Sequence, residues 1–348
     1  MDRKRWLAVA GALAVSASGG GLCAWLRTPL PWMIGPLTAM AIFQFSGTRL
    51  VAPPFGREAG QLTIGLALGL YFTPAVTREV LTYWPIILAV AVGVLAIGVA
   101  CSYFLERAAR VDRATAFFSC AIGGAAEMVV LGERHGALLD RVALSHSLRL
   151  LIVVTTVPVA ITLLGQTGTD DYRPVIVPFA ASGVAALAAI GLISGMAARS
   201  ARIPNAFMIG PLLACIGFTA CGYAFSSLPT YFTNVAQLLL ACSLGSRFQQ
   251  SFLREAPRYV AAVAATVVLM LALCSALAVI VAWAFGIPIA TMLLSASPGG
   301  IAEMSITAKV LRAGVAFVTA AHVTRFVIVV LCTDPLYRLI ERGNRKAQ

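Results

Sequence analysis

Long apolar runs, separated by short polar stretches, follow one another along the whole chain. Several of them, such as 86–101, 175–198 and 259–283, approach the length of about 20 residues with which an α-helix crosses a bilayer. Twelve apolar segments can be drawn, six in each half, at residues 6–26, 30–47, 58–72, 82–105, 114–132, 142–165, 175–198, 204–225, 233–248, 259–285, 289–308 and 314–336. This pattern predicts an all-α polytopic membrane protein.

The composition agrees with this interpretation. Hydrophobic residues make up 59% of the chain and charged residues 11%, and the mean hydropathy is +0.89. Soluble proteins carry about 25% charged residues. We therefore expect a multi-pass membrane protein. The eight cysteines form no Cys-x-x-Cys motif and lie mostly within apolar runs, which is typical of small apolar residues in a helix interface.

The net charge of +12 is spread over short basic clusters between the apolar segments. Such clusters are typical of cytoplasmic loops under the positive-inside rule. A nucleic-acid-binding surface needs a folded basic face, and no segment is long enough to build one. The expected partners are therefore the lipid bilayer and a small-molecule or ion substrate, without nucleic acid. A homo-oligomer is compatible with the sequence.

An internal repeat runs through the chain, and its members recur in the same order 175 or 176 positions later. Met-Ile-Gly-Pro-Leu at 33–37 returns at 208–212, and Gly-Gly-x-Ala-Glu-Met at 123–128 returns at 299–304. A His-x-x-Arg block also occurs in both halves. Two related halves of this size are a common plan in transporters. The sequence predicts a first membrane repeat at residues 1–168 and a second at 174–348.

Loop charge decides between two topologies. If all twelve segments cross the membrane, the acidic joint with Asp170 and Asp171 faces the cytoplasm and the basic loop around Arg254 faces outside, both against the positive-inside rule. If the fifth and eleventh segments instead enter and leave on one side, most basic clusters become cytoplasmic, including those with Arg57 and Arg247. The second arrangement predicts about ten transmembrane helices, two re-entrant or broken segments and two inverted repeats.

The fifth and eleventh segments each contain a Gly-Gly pair, preceded in the second copy by Pro298, and this pair should break the helix. A half-helix that starts after the glycines directs free N–H groups and its positive dipole end into the break, where an anionic group can bind. Glu127 and Glu303 lie in the first turn of each half-helix. Two interpretations stay open: each glutamate caps its own half-helix, or the two copies together form a central site.

The members of each His-x-x-Arg block, His146 with Arg149 and His322 with Arg325, share one helix face. Arg325 lies in the middle of an apolar run and needs an internal partner, for which either first-turn glutamate is the expected candidate. The blocks either form a structural ion pair that locks the halves together or a cationic site for an anionic substrate. In the second case a carboxylate or a histidine would couple proton or cation movement.

The candidate substrate- or ion-binding residues are therefore Gly123, Gly124, Glu127, His146, Arg149, Gly299, Gly300, Glu303, His322 and Arg325. Gln61 and Gln237 are expected either to line a pore or to form hydrogen bonds between helices. We expect no catalytic residue, metal ligand set or cofactor.

The duplicated blocks together resemble the bacterial AbrB-type membrane protein family, over essentially the whole chain. The resemblance implies a location in the bacterial inner (plasma) membrane. The first copy has Ile122 where the second has Pro298, which makes the two half-sites less equivalent. The family has been labelled an ammonia monooxygenase and a regulator of gene expression. A copper or iron oxygenase needs clustered ligands, and the chain has three histidines, of which His135 lies apart in a loop. A direct transcription factor needs a soluble DNA-binding module, for which no segment remains.

The residues favour a secondary-active membrane permease for an unidentified small solute, with an anion as one option, working by alternating access between the two repeats. An alternative is a membrane-embedded regulator that affects gene expression indirectly. An ammonia monooxygenase-like metalloenzyme fits less well, and we expect the protein not to be an enzyme.

Overall fold

The computed structural model describes residues 3–166, 178–223, 225–248, 250 and 256–345. These residues are α-helical, and no strand occurs among them. The helices are α1 (Arg3–Trp25), α2 (Pro31–Phe45), α3 (Gly56–Gly69), α4 (Pro74–Thr82), α5 (Trp84–Ala109), α6 (Arg113–Cys120), α7 (Ala125–Arg134), α8 (Leu139–Leu163), α9 (Ala181–Ser200), α10 (Ala206–Ala220), α11 (Thr230–Gly245), α12 (Pro257–Phe285), α13 (Ile289–Ala296), α14 (Ile301–Leu311) and α15 (Val315–Arg345). Asp170, Asp171 and Arg254, on which the choice of topology partly depends, lie outside the described residues.

Within the described residues, six helices are long and apolar enough to cross a membrane: α1, α5, α8, α9, α12 and α15. The pair α3 and α4, bent by 90°, would make a seventh span. The chain is therefore a multi-pass α-helical membrane protein. Helices α2, α3, α10 and α11 have 14 to 16 residues, and at about 1.5 Å per residue they fall short of a hydrocarbon core of about 30 Å. The count of about ten spans stays a prediction.

The fifth predicted segment folds as a helical hairpin, α6 and α7. The Thr115 hydroxyl at the start of α6 accepts a hydrogen bond from the backbone N–H of Leu138, just before α8, at 2.8 Å. Further along, Ser145 and Arg149 of α8 donate to carbonyls at the end of α6. Successive residues along α6 thus bond to successive residues along α8, so the two helices run parallel. Helix α7, which connects them in the chain, runs in the opposite direction. The hairpin thus begins and ends at the same level.

The eleventh predicted segment, α13 and α14, folds in the same way. Gly314, just before α15, lies so close to Thr291 in α13 that an added Cβ would approach its Cγ2 to 2.7 Å. His322 and Arg325 of α15 then bond to carbonyls at the end of α13. The sequence prediction of two broken segments is thus matched by two hairpins, with breaks at residues 121–124 and 297–300.

The two hairpins begin at opposite ends of an antiparallel helix pair. Arg258, at the start of α12, donates from Nε to the carbonyl of Ala108 at the end of α5, at 3.2 Å. Gly93 of α5 lies against Leu277 of α12, so the two helices run in opposite directions. Hairpin α6–α7 follows the end of α5, and hairpin α13–α14 follows the end of α12. The two breaks are therefore approached from opposite directions.

The helices pack in two groups. Helices α1, α2, α3, α9, α10 and α11 contact mainly one another and are called the six-helix group below; α5 to α8 contact mainly one another and α12 to α15, and form the hairpin group. The groups meet where α3 contacts α14 and where α2 contacts α8. Both Gly-Pro copies lie inside the six-helix group, where Gly35 and Gly210 allow a close approach to the preceding helix. The candidate functional site lies between the groups.

Candidate functional site

The first break is held open by a buried arginine. Helix α6 ends at Cys120 and α7 begins at Ala125, so the last carbonyls of α6 lack partners within the helix. Arg149, 3% exposed, donates to the carbonyl of Ala121 at 3.0 Å and to that of Gly123 at 3.2 Å. Its positive charge also interacts favourably with the negative end of the α6 dipole. Arg149 therefore caps the C-terminal end of α6.

The second break has the same arrangement. Arg325, 4% exposed, donates to the carbonyl of Ser297 at 2.6 Å and to that of Gly299 at 2.5 Å. The expected ion pair between Arg325 and a first-turn glutamate is wrong, because the nearest acceptors are these carbonyls at the end of α13. Neither Arg149 nor Arg325 forms a salt bridge with a carboxylate among the described residues.

The two histidines support the arginines and are neutral. An Nη2 nitrogen of Arg149 lies 3.1 Å from Nδ1 of His146, and Arg325 lies 2.8 Å from Nδ1 of His322. Since a guanidinium can only donate, each Nδ1 accepts and each Nε2 carries the hydrogen. Each Nε2–H donates to a backbone carbonyl at 2.9 Å, that of Phe118 in α6 or Leu294 in α13. This geometry does not favour a histidine as the proton carrier.

The same bonds make the histidines poor metal ligands. Both nitrogens of each ring are engaged, so coordination would break a buried hydrogen bond. Across the described ranges, no group of three or more His, Cys, Asp or Glu side chains could hold a metal ion.

The first-turn glutamates fold back over the glycines that precede them. A Cβ added to Gly124 would overlap the carboxylate of Glu127, and one added to Gly300 would overlap that of Glu303. Each carboxylate therefore lies at the positive end of its own half-helix, where a negative charge is stabilised. This is the capping geometry that one interpretation of the sequence gave.

A cavity lies between the two breaks and offers ≈ 100 Å³ to the centres of water molecules. Nine of the ten candidate residues line it, namely Gly123, Gly124, His146, Arg149, Gly299, Gly300, Glu303, His322 and Arg325. Glu127 does not line it, although its carboxylate contacts Gly124, which does. Capping and a shared cavity are thus compatible.

A model of the family described as transition state regulatory protein AbrB matches residues 5–341. The chain belongs to the AbrB family. "Uncharacterized protein YhjN" of Bacillus subtilis (strain 168) is 26% identical over 364 residues, which cover 96% of this chain and 94% of the relative. "Putative regulator AbrB" of Escherichia coli (strain K12) is 24% identical over 317 residues, covering 90% and 91%. The resemblance inferred from the duplicated blocks is confirmed.

The six-helix group supplies a second wall of polar residues to the cavity of this AbrB-family chain. Arg57 and Gln61 of α3 donate to the side-chain oxygen of Asn205 at 3.3 and 3.1 Å, and Arg247 completes the wall after α11. Gln61 therefore both lines the cavity and bonds between helices, whereas Gln237 is buried within α11 and does not line the cavity. The sequence placed Arg57 and Arg247 in loop clusters and gave no signal for Asn205.

The charges of the cavity favour an anion. Four arginines line it with one carboxylate, that of Glu303. Burial lowers the pKa of the Arg247 guanidinium from its usual value, the nearby Arg57 lowers it further, and Glu127 and Glu303 oppose this effect. Like charges that share a partly buried space repel each other, and an anion bound between them relieves this repulsion.

Proposed function

We propose that this AbrB-family protein is a secondary-active permease for a small anionic solute, in which the cavity between the two helix breaks is the transport site. The observation that carries the proposal is the cavity's excess of arginines over carboxylates inside a multi-pass membrane protein. Broken helices that meet near the membrane centre are a recurrent way to build such a site. The bacterial inner membrane is the proposed location.

We also propose that residues 1–168 and 174–348 are inverted repeats, with the two hairpins re-entering the membrane from opposite sides. The opposite starting ends of the hairpins support this. So does the recurrence of left-handed backbone conformations: Arg27 and Leu30 have φ of 53° and 49°, and their counterparts Arg202 and Asn205 have 56° and 51°. A non-glycine residue with positive φ is uncommon, so matching positions favour a shared fold.

We propose that alternating access comes from movement of the hairpin group against the six-helix group, each of which contains helices of both repeats, and not from movement of one repeat against the other. The site lies between them, and contacts between the groups are few compared with those inside each. We propose that Glu303, with Glu127 behind Gly124, carries the coupling proton. A protonated carboxyl would no longer repel an anion in the cavity, so proton and anion would move together.

A membrane-embedded regulator that acts on gene expression indirectly is the second candidate, and the family description favours it. Regulation as a consequence of transport would reconcile the two. The metalloenzyme is the weakest candidate, because both ring nitrogens of His146 and of His322 are engaged in hydrogen bonds and are not free to bind a metal ion.

Flux through the purified protein tests the permease. We expect proteoliposomes to take up one or more members of a panel of small organic acids, faster under an inward proton gradient and well above protein-free liposomes. Amines and ammonium serve as cationic controls. If no solute moves under any ion gradient, the permease proposal fails and the regulator remains.

Labelling from either side tests the inverted topology. Single cysteines at Arg134, the end of α7, and Arg312, the end of α14, are both exposed. In a background without Cys23, Cys221 and Cys332, a membrane-impermeant thiol reagent should label the two positions from opposite sides of the membrane. Labelling of both from the same side would exclude two re-entrant hairpins in inverted halves.

A further inference from the structure

The duplicated polar residues leave few groups with which to bind a ligand. The Nη nitrogens of Arg149, like those of Arg325, already donate hydrogen bonds to two carbonyls and one histidine. The histidines use both ring nitrogens, and the glutamates lie over their glycines. Among the buried polar atoms of the duplicated set, Nε of each arginine remains without a partner. The duplicated motif thus explains how two helix breaks persist in a membrane, but it does not by itself supply recognition.

The opposite wall has unused donors. The side chain of Arg247 forms no hydrogen bond or ion pair with any residue that the structure describes, and the side chain of Arg57 bonds only to Asn205. The Asn205 oxygen accepts from both Arg57 and Gln61, so its amide nitrogen remains a donor. That nitrogen lies 3.4 Å from the position of a Cβ on Gly124, which directs it toward the first break. Two guanidinium groups and an amide therefore face one cavity.

This wall is not duplicated. With the offset of the repeat, the counterparts of Arg57, Asn205 and Arg247 are Thr233, Leu30 and Tyr71, none of which carries a charge. The left-handed backbone conformation of Asn205 recurs at Leu30, but only Asn205 has a polar side chain at this position. Since the breaks recur without this wall, its residues are not needed to stabilise a break, which favours a role in binding.

The lining also indicates what kind of anion fits. Guanidinium groups match the planar geometry of a carboxylate with two parallel hydrogen bonds. Met208, Leu240, Leu244, Ile301 and Phe326 give the rest of the cavity an apolar surface, which suits an apolar body and not a fully hydrated oxyanion. The cavity offers only ≈ 100 Å³ to the centres of water molecules, which suits a small ligand.

We propose that Arg57, Arg247 and Asn205 form the recognition site for a short-chain monocarboxylate, with the carboxylate at the two arginines and the apolar chain toward Leu240, Leu244 and Ile301. The assignment rests on the proposed function and names its substrate class.

Equilibrium binding to the purified full chain tests the assignment, with butyrate as probe, butyramide as its uncharged isostere and inorganic phosphate as an anion without an apolar body. Butyrate should bind, and butyramide and phosphate should bind at least about tenfold more weakly. Arg57→Gln and Arg247→Gln should each raise the Kd for butyrate about tenfold or more. Arg247→Lys should restore part of the affinity. Arg49→Gln, an exposed arginine in the neighbouring loop, should change nothing.

The outcomes separate the two proposals. If butyrate binding depends on the arginines but no solute moves in proteoliposomes, the recognition site is supported and the permease is excluded. If other anions are transported and their flux is unchanged in Arg57→Gln and Arg247→Gln, the permease is supported and the recognition site is excluded. Absence of butyrate binding to the wild-type chain, or butyramide or phosphate binding as tightly as butyrate, would also overturn the assignment. Monodisperse elution of every variant checks that a lost signal is not a loss of folding.

Discussion

Replacing Arg325 with alanine is expected to cost at least about 3 kcal/mol of stability, because it leaves three buried acceptors without a donor at roughly 1–3 kcal/mol each. These acceptors are the carbonyls of Ser297 and Gly299 and Nδ1 of His322. Arg325→Lys keeps the charge but cannot reach all three from one ammonium group, so we expect an intermediate loss. Thermal unfolding of the purified protein, followed by tryptophan fluorescence, measures the effect.

The control for this experiment is Arg338→Ala. Arg338 lies on the same helix, is 60% exposed and pairs with Asp334, and an exposed pair of this kind contributes about 0–1 kcal/mol. Arg149→Ala, the equivalent change at the first break, should resemble Arg325→Ala. An Arg325→Ala protein as stable as the wild type would show that the arginine does not hold the break, and the structural interpretation of the duplicated motif would then be wrong.

Replacing Glu303 with glutamine is expected to abolish proton-driven uptake while leaving exchange of solute across the membrane. Glu303 is 8% exposed and lines the cavity, so its negative charge opposes an incoming anion. In the wild type, anion binding should strengthen as the pH falls, because protonation removes this charge. Glutamine imitates the protonated form at every pH, so binding to the variant should be strong and independent of pH. Gradient-driven uptake and counterflow, measured between mildly acidic and alkaline pH, separate these effects.

The other groups that face Glu303 should not produce this pH dependence. His322 has both ring nitrogens engaged, and Arg57, Arg247 and Arg325 remain cationic across this range. Glu133→Gln, an exposed glutamate near the end of α7, is the matched control and should transport like the wild type. Proton-coupled uptake that survives in Glu303→Gln would remove Glu303 from the coupling mechanism.

The sequence predicted the parts of the site that depend on local structure. The helices break at the predicted Gly-Gly pairs 123–124 and 299–300, although α1 continues through Gly19, Gly20 and Gly21. A spacing of three places His322 and Arg325 on one face. The partner of Arg325 was misassigned because pairing formal charges pointed to a carboxylate. The carbonyls that a broken helix leaves free carry no formal charge, and those of Ser297 and Gly299 lie 28 and 26 positions earlier in the chain.

The opposite wall was beyond local prediction for a different reason. Arg57 and Asn205 are 148 positions apart, and only the contact between α3 and α10 brings them together. One signal could have been used: within a duplicated chain, charged residues without a charged counterpart are the ones that the common fold does not require. Applied to Arg57 and Arg247, that comparison would have separated them from ordinary loop charges.

The hydrogen bonds that complete each hairpin are made within a short stretch of chain. The hydrogen bonds that Thr115, Ser145, His146 and Arg149 make around the first break all join residues between Thr115 and Arg149. During synthesis, these bonds can form once α8 is complete, before the second half of the chain exists. The carbonyls at that break are then paired before the cavity, whose walls come from both halves, is assembled.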